Sequence, residues 1–228
     1  MNSTDLVIMA GGEGRRLAPL TNILPKPLLW VDGKTILERI VEFFRWHGLG
    51  GNVYVIVKYK SDLIRSYVKQ IGLKVELVEE DEYMGTAGGL SLIGDKLSSN
   101  FFMTNCDVLV EFDVQDALRG HIEGRYDMTI MSFMKEVAVP YGIFEFDDEG
   151  DICDFIEKPN MQLWANAGVY LMGHRVFDFL KPGRKNMDEL FYDMMNTGTN
   201  VRVLPLPDGG FKDIGEFQYY REVLDKIC

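Results

Sequence analysis

Leu6-Val7-Ile8-Met9 is a short apolar run that leads directly into Ala10-Gly11-Gly12-Glu13-Gly14-Arg15-Arg16. The run predicts a buried first strand. Three glycines within four positions let the backbone after it curl around an anion and point several N–H groups at it. Two arginines and, a little further along, Lys26 add positive charge. This combination favours a bound polyphosphate, and a surface turn with solvated arginines is the simpler alternative.

Two commoner phosphate-binding motifs do not fit this loop. A Walker A loop requires G-x-x-x-x-G-K-[ST], and neither Gly12 nor Gly14 is followed by a lysine and then a serine or threonine. A dinucleotide fingerprint G-x-G-x-x-G that starts at Gly12 would need a third glycine where Leu17 stands. The loop therefore fits neither class of nucleotide site.

The composition is that of an ordinary soluble globular protein. Of its 228 residues, 46% are hydrophobic and 26% are charged, enough to bury a substantial core. We expect a single domain over residues 1–228, with a nucleotide-binding N-terminal half and an acceptor-binding C-terminal half. No apolar run approaches the roughly 18 residues that span a bilayer, and no basic segment precedes the first apolar stretch. These features predict a cytoplasmic protein without a membrane partner.

The charge is distributed unevenly along the chain. The formal net charge of −11 argues against a nucleic-acid partner, because phosphate backbones demand clustered Lys and Arg. Residues 1–34 are nevertheless net positive, which points to a compact anionic ligand. The three cysteines lie far apart and contain no C-x-x-C pair, so they indicate neither a disulfide framework nor a zinc site.

Strand-like and helix-like patterns alternate along the chain. This rhythm predicts an α/β fold, a Rossmann-like three-layer α/β/α arrangement around a mostly parallel mixed sheet. A glycine-containing acidic turn after residue 146 predicts a β-hairpin. The predicted strands are 6–9, 53–57, 73–78, 101–104, 127–134, 143–146, 152–156, 167–172 and 201–205, and the predicted helices are 35–48, 62–70, 87–97, 113–124 and 215–227.

Ligands of open α/β sheets sit at the carboxyl ends of the strands. The glycine loop follows the first predicted strand, and Asp107 comes soon after the strand at 101–104. Both are therefore expected at the same edge of the sheet.

A series of motifs resembles the sugar-1-phosphate nucleotidyltransferase family. The loop matches as Gly11-Gly12-x-Gly14-x-Arg16-Leu17-x-Pro19-Leu20-Thr21 followed by Pro25-Lys26-Pro27, and the likeness runs from residue 8 to 220. Within the family the chain is most similar to glucosamine-1-phosphate and hexose-1-phosphate guanylyltransferase-like proteins. Six further motifs follow in the family's order: Gly85-Thr86-Ala87-Gly88-Gly89, Asn105-Cys106-Asp107, Tyr141-Gly142, Glu157-Lys158-Pro159, Asn166-Ala167-Gly168-Val169-Tyr170 and Asp213-Ile214-Gly215.

The resemblance implies the nucleotide-diphospho-sugar transferase fold and a reaction. A phosphate oxygen of a sugar 1-phosphate attacks the α-phosphorus of a nucleoside triphosphate, giving pyrophosphate and a nucleotide-sugar for surface-glycan synthesis. Catalysis is then positioning plus neutralisation of negative charge. Mg²⁺ is the implied cofactor, held by Asp107 and Asp213, with Arg16 and Lys26 as the catalytic cations. The alternatives are a turn carboxylate at the end of a strand for Asp107, a helix N-cap for Asp213, and solvated surface charge for Arg16 and Lys26.

The resemblance also assigns binding residues. Glu80 takes the position that contacts the base, where a carboxylate suits the two donors of guanine better than a pyrimidine edge. It lies in the run Glu79-Glu80-Asp81-Glu82, however, and such a run is usually a solvated face. The nucleotide-binding set is Ala10, Gly11, Gly12, Gly14, Glu80, Gly85, Thr86 and Ala87, and the sugar-phosphate set is Gly142, Glu157, Lys158 and Asn166.

Several alternatives stay open on the sequence. GTP is favoured, but UTP or dTTP would serve the same reaction. CTP-dependent transfer to a non-sugar phosphate and a non-catalytic sugar-nucleotide sensor are the other candidates, and the oligomeric state, a homo-oligomer included, is undecided. Arg15 stands where the family has a small hydroxyl residue, so it is left out of the assignment.

Overall fold

A seven-stranded mixed sheet forms the centre of the protein in a computed structural model, which describes residues 3–215 and 220–221. The strands are β1 (Asp5–Ala10), β2 (Trp30–Val31), β3 (Lys34–Thr35), β4 (Val53–Val57), β5 (Glu76–Glu79), β6 (Asn100–Asn105), β7 (Val108–Val110), β8 (Met128–Ala138), β9 (Ile143–Phe146), β10 (Ile152–Ile156), β11 (Asn160–Gly173), β12 (Val201–Pro205) and β13 (Phe211–Asp213). The helices are α1 (Leu20–Ile23), α2 (Ile36–Trp46), α3 (Ser61–Ile71), α4 (Val114–Glu123) and α5 (Met187–Met195).

The sheet order is β12-β8-β11-β6-β1-β4-β5. Strand β1 pairs in parallel with β4 and with β6, and β8 pairs in parallel with β12. Strand β11 alone among these seven runs against its neighbours, β6 and β8. The predicted mostly parallel mixed sheet is confirmed.

Two apolar cores, one on each face, make the three layers. In β1, Leu6 and Ile8 point into one core, where α2, α3 and α4 pack. Val7 points into the other core, which α5 and short 3-10 turns cover. Alternate residues of one strand thus serve opposite faces, as the pleat requires. None of the helices within the described ranges is long and apolar enough to cross a bilayer.

The helix predicted at 87–97 is wrong. Two short 3-10 helices, Gly88–Leu92 and Gly94–Lys96, take its place. Glycine weakens a helix, and here it is needed for close packing, because a Cβ on Gly89 would stand 2.6 Å from Glu80 Oε1. The helix predicted at 215–227 lies almost entirely outside the described residues.

Besides α1, β2 and β3, which are only two to four residues long, three elements were missed by the sequence patterns. Helix α5 starts with a capping box between Asn186 and Glu189, a signal that was present in the sequence. The other two are β7 and β13, which are only three residues long and pair antiparallel with each other outside the main sheet. That small ladder decides the geometry of the site described next.

Candidate active site

The glycine loop leaves β1 in a conformation that requires glycine. Gly14 has φ +68°, and a Cβ there would stand 2.9 Å from Thr21 Cγ2. The Thr21 hydroxyl donates to the Gly14 carbonyl at 3.0 Å. A Cβ on Gly11 would stand 2.7 Å from Glu80 Oε2. Both glycines therefore allow the loop to fold back onto its own end and onto a buried carboxylate.

Three of the predicted catalytic side chains meet at the edge of the sheet. Lys26 Nζ forms a direct ion pair with Asp107 Oδ2, and Arg16 Nη2 lies 3.9 Å from the same oxygen. Lys26 is buried, with an exposed fraction of 8%, whereas the Arg16 side chain is largely exposed. Since Coulomb interactions strengthen away from water, the Lys26–Asp107 pair dominates this cluster.

Asp213 reaches the cluster through the β7–β13 ladder. Its antiparallel partner is Val108, next to Asp107, and the following amide, Ile214 N, donates to the Asp107 carbonyl at 2.8 Å. Gly215 N in turn donates to Asp213 Oδ1 at 2.6 Å. A Cβ on Gly215 would stand 2.5 Å from Asp107 Oδ2, 2.7 Å from Asp213 Oδ1 and 2.9 Å from Lys26 Nζ. The absence of a side chain there lets both carboxylates border the same point.

This pair of carboxylates fits Mg²⁺. Within residues 3–215 and 220–221, no group of three or more His, Cys, Asp or Glu residues is arranged to hold a metal ion. Mg²⁺ is usually bound by only one or two carboxylates, with substrate phosphates and water completing its octahedron. Asp107 and Asp213 are hard oxygen donors of the right number, so they are the residues that would hold the ion.

Glu80 is buried, although its neighbours in the acidic run are exposed. Its exposed fraction is 2%, and neither carboxylate oxygen has a hydrogen-bond partner among the described residues. Burial raises the pKa of Glu80, and the nearby Met84 amide and Lys58 charge offset this only in part. The solvated-face alternative is therefore wrong for this residue. Burying a carboxylate without a hydrogen-bond partner costs free energy, and a bound ligand that donates hydrogen bonds to it would offset that cost.

A cavity of about 930 Å³ connects the glycine loop, Glu80 and the Lys26–Asp107 pair. Its walls are the glycine loop, the ends of β4 and β6, and residues 80–86, and Arg16, Lys26 and Asp107 lie along it. Ala10 is buried behind the lining. Cys106 lines the cavity, but burial raises the pKa of its thiol to about 12, so it stays protonated. Asp213 lines a second cavity, together with Val108 and Ile214. The first cavity is large enough for a nucleotide.

The loop at 85–87 is turned partly away from the cavity. Gly85 and Thr86 line it, but Ala87 does not. The backbone amides of Ala87 and Gly88 both donate to the Lys185 carbonyl at 3.0 Å. The Thr86 hydroxyl accepts from Met187 N at 2.8 Å. The Ala87 amide therefore anchors the loop to the residue that precedes the cap of α5 and does not point into the cavity.

The predicted sugar-phosphate residues lie apart from the nucleotide cavity. Gly142, Glu157 and Lys158 flank the β9–β10 hairpin, and Lys158 pairs with Glu157 at 3.7 Å in an exposed position. A Cβ on Gly142 would stand 2.9 Å from Glu157 Oε2, so these two residues are close. Among the described residues that line the cavity, none of these three appears.

Asn166, the fourth predicted sugar residue, makes hydrogen bonds within the protein. Its Nδ2 donates to the Tyr170 hydroxyl at 2.8 Å, and its Oδ1 accepts from Gly168 N at 2.9 Å. These bonds span the irregularity in the β8–β11 pairing between Asn166 and Tyr170. Gly168 has φ +70°, and a Cβ on it would stand 2.6 Å from Asn105 Nδ2. Asn166 thus shapes the strand beside the site.

Sequence reasoning missed four cavity residues that lie outside the family motifs, Lys58, Tyr59, Lys60 and Tyr83. It also assigned no role in the site to five lining residues within or beside the motifs: Met9, Glu13, Arg15, Asn105 and Cys106. For the four outside the motifs, the order along the chain is informative. The first three follow β4 directly, and β4 runs parallel to β1, so they share its carboxyl edge. Position after a parallel strand was therefore the signal that could have found them.

Comparison with known proteins identifies the family. A profile described as nucleotidyl transferase matches residues 6–228, almost the entire chain and every predicted catalytic residue. The chain belongs to the nucleotidyl transferase family. This agrees with the resemblance carried by the sequence motifs.

Curated relatives of this nucleotidyl transferase are longer than it is. Mannose-1-phosphate guanylyltransferase catalytic subunit beta of Dictyostelium discoideum is 30% identical over 219 residues, which cover 92% of this chain and 60% of that protein. The bifunctional protein GlmU of Methanocaldococcus jannaschii is 33% identical over 181 residues, which cover 78% of this chain and 42% of that protein. The chain thus spans less than two thirds of the length of either relative.

Solved structures share the fold of this nucleotidyl transferase. HddC from Yersinia pseudotuberculosis superposes with a TM-score of 0.75 at 23% identity, over 99% of this chain and 100% of that one. The CTP:phosphocholine cytidylyltransferase LicC from Streptococcus pneumoniae superposes with a TM-score of 0.73 at 21% identity, again over 99% and 100%. At these identities the likeness concerns the architecture alone.

Proposed function

We propose that this nucleotidyl transferase transfers GMP from GTP to a sugar 1-phosphate, yielding a GDP-sugar for glycan synthesis and pyrophosphate. The observation that carries the reaction class is the convergence of Lys26, Asp107 and Asp213 at one point beside the glycine-loop cavity. Relatives named as mannose-1-phosphate guanylyltransferases, from Dictyostelium discoideum and Xenopus laevis, support it.

The reaction needs no nucleophile from the protein. The attacking oxygen belongs to the sugar 1-phosphate: its bond to the α-phosphorus forms while the bond from that phosphorus to the bridging β-phosphate oxygen breaks. Both reactants are anions, so the main task is to bring them together. Residues 11–14, which line the cavity, cradle the triphosphate with their amides, and Lys26 and Arg16 oppose its charge. Mg²⁺ held by Asp107 and Asp213 would supply further positive charge at the α-phosphate.

Glu80 carries the preference for guanine. The guanine edge presents N1–H and N2–H₂, two donors that a carboxylate accepts together, whereas uracil and thymine present a single N–H between two carbonyls. Neither Glu80 oxygen has a hydrogen-bond partner in the part of the chain that the structure describes, which suits a two-donor ligand. The half-exposed Tyr83, which also lines the cavity, adds an aromatic surface for the base.

The acceptor is proposed to bind along the β9–β10 hairpin. Lys158, with its side chain largely exposed, would meet the sugar phosphate, and Glu157 would accept hydrogen bonds from sugar hydroxyls. Gly142 keeps room beside Glu157. Asn166 contributes by holding β11 in shape, through its bonds to Tyr170 and Gly168.

A substrate matrix tests the proposal. GTP, UTP, dTTP, CTP and ATP are each combined with a panel of hexose and hexosamine 1-phosphates and with phosphocholine, and pyrophosphate release is measured. Release with GTP and a sugar 1-phosphate is expected. Release only with CTP and phosphocholine would establish a cytidylyltransferase instead. Nucleotide binding without release from any pair would identify a sensor.

A further inference from the structure

The loop of residues 11–26, which carries Arg16 and ends at Lys26, contains only short elements of regular structure. It contains a 3-10 turn at Arg15–Leu17 and the four-residue helix α1. Its internal backbone hydrogen bonds are local, such as Leu17 N to Gly14 O at 2.9 Å and Leu24 N to Leu20 O at 3.0 Å. Two catalytic cations therefore depend on a segment that needs support from elsewhere in the fold.

That support comes from the end of β4. The last carbonyls of a helix have no partner within it, and at the end of α1 Tyr59 and Lys60 supply three. The Tyr59 hydroxyl donates to Thr21 O at 3.1 Å, and Lys60 Nζ donates to Asn22 O at 2.5 Å and to Ile23 O at 3.0 Å.

The same two residues also contact the beginning of the loop and each other. Tyr59 N donates to the Gly11 carbonyl at 3.4 Å, so the loop is held near both of its ends. Lys60 Nζ lies 5.3 Å from the centre of the Tyr59 ring, a cation–π contact that orients both side chains. Lys60 has φ +51°, a conformation that a lysine adopts only when its surroundings hold it there.

We propose that Tyr59 and Lys60 are positioning residues that hold the loop 11–26 so that Arg16 and Lys26 meet the triphosphate and Asp107. Lys26 lies only three residues after Ile23, so a movement of the carbonyls that Tyr59 and Lys60 hold would also move the Lys26 ammonium group. This inference rests on the proposed triphosphate site. It assigns Lys60 a role through the loop and not through contact with substrate, although its charge borders the cavity.

The test separates the loop from the reaction. Hydrogen exchange of the full chain without substrate is compared for wild type, Lys60→Met and Tyr59→Phe. Faster exchange in peptides that cover residues 14–26 is expected, with the rest of the sheet unchanged. Lys69→Met on the exposed face of α3 and Tyr192→Phe on α5 are the matched controls, and neither should change the loop.

Kinetics with GTP then show whether the loop position matters. Lys60→Met is expected to raise KM for GTP and lower kcat, with a combined loss on the order of 10- to 100-fold, while KM for the sugar 1-phosphate is unchanged. Lys60→Arg should recover most of the activity, because a guanidinium can also donate to two carbonyls.

Two results would overturn the inference: unchanged exchange in residues 14–26 of Lys60→Met, or faster exchange with unchanged kinetic constants. If the wild type turns over no substrate pair, the proposed function fails independently. Calorimetric GTP affinity of the same variants then takes the place of the kinetic comparison, and an unchanged affinity would likewise count against the positioning role.

Discussion

Asp213 lies beside Asp107 because β13 pairs antiparallel with β7, which places Asp213 opposite Val108. The Ile214 amide completes the contact by donating to the Asp107 carbonyl at 2.8 Å. More than a hundred residues separate the two carboxylates in the chain. A ladder of three residues per strand thus builds the candidate metal site.

Removing either carboxylate should abolish turnover without unfolding the protein. We expect Asp107→Asn and Asp213→Asn each to lower kcat by about 100-fold or more, because an uncharged amide is a poor Mg²⁺ ligand and offsets less positive charge. Pyrophosphate release measures the rate, and circular dichroism checks the fold. The control is Asp208→Asn in the exposed turn before β13, which should be neutral. An Asp107→Asn enzyme that kept more than about a tenth of the rate would refute the metal assignment.

Replacing Glu80 with glutamine should reduce affinity for GTP more than for UTP. Hydrogen bonds to a charged group contribute about 1.5–3 kcal/mol, so GTP binding should weaken roughly 10- to 100-fold by calorimetry. UTP offers the carboxylate a single donor and should lose less. An equal loss for both nucleotides would remove the reason for preferring guanine.

The same residue predicts a pH dependence of GTP binding. Burial raises the pKa of Glu80 in the free protein, whereas guanine binds its ionised form. GTP affinity should therefore rise as the pH rises through that pKa and then level off. The Glu80→Gln variant should lack this rise. A wild-type affinity for GTP that stays flat from the ordinary glutamate pKa of 4.5 up to pH 8 would contradict the proposed contact.

Alanine at Gly14 should impair catalysis beyond its effect on stability. Both Gly14 and Gly198 have positive φ, +68° and +70°, but only a Cβ on Gly14 has a near neighbour, at 2.9 Å from Thr21 Cγ2. Gly198→Ala is thus a matched control for backbone strain, which costs roughly 1–2 kcal/mol. We expect both variants to lose stability in thermal melts and only Gly14→Ala to lose turnover. Equal activity in the two variants would show that the loop tolerates the displacement.

His121 should make the protein sensitive to acid. Its Nδ1 lies 2.8 Å from Thr129 Oγ1 in the core between α4 and the sheet, and burial, with the Arg202 charge, lowers its pKa from 6.5 to about 4. The unfolded chain binds this proton more readily, so the free energy of unfolding should fall as the pH falls from 6.5 to 4, by at most about 3 kcal/mol. Urea unfolding across that range measures it, and a His121→Gln variant should show a shallower fall.

Local patterns in the sequence predicted the sheet and its order of helices and strands well. Strand β4 and the hairpin strands β9 and β10 were predicted at their observed bounds, because apolar runs between turn residues carry that information locally. Helix α5 was missed although Asn186 and Glu189 form its capping box. The glycine-rich segment at 87–97 was predicted as one helix but forms two short 3-10 helices.

The site depended on information that no single segment contains. Glu80 stands among exposed acidic residues, and only the packing of Gly11 and Gly89 against it reveals that it is buried. In the sequence, nothing distinguishes Lys60 from a solvated lysine, and its hydrogen bond to α1 is seen only in the folded structure. The family motifs identified Asp213, but its position depends on the pairing of β7 with β13. Strands of three residues are too short to be predicted from a sequence pattern.

The β7–β13 ladder also sets the order in which the enzyme becomes complete during synthesis. The glycine loop, Lys26 and Asp107 leave the ribosome early, whereas β13 follows only after every strand of the main sheet has been made. Contacts between distant segments form late, since the intervening chain must be ordered first. A nascent chain can therefore make the glycine loop, Lys26 and Asp107 well before Asp213, and the proposed pair of metal-binding carboxylates is complete only when β13 pairs with β7.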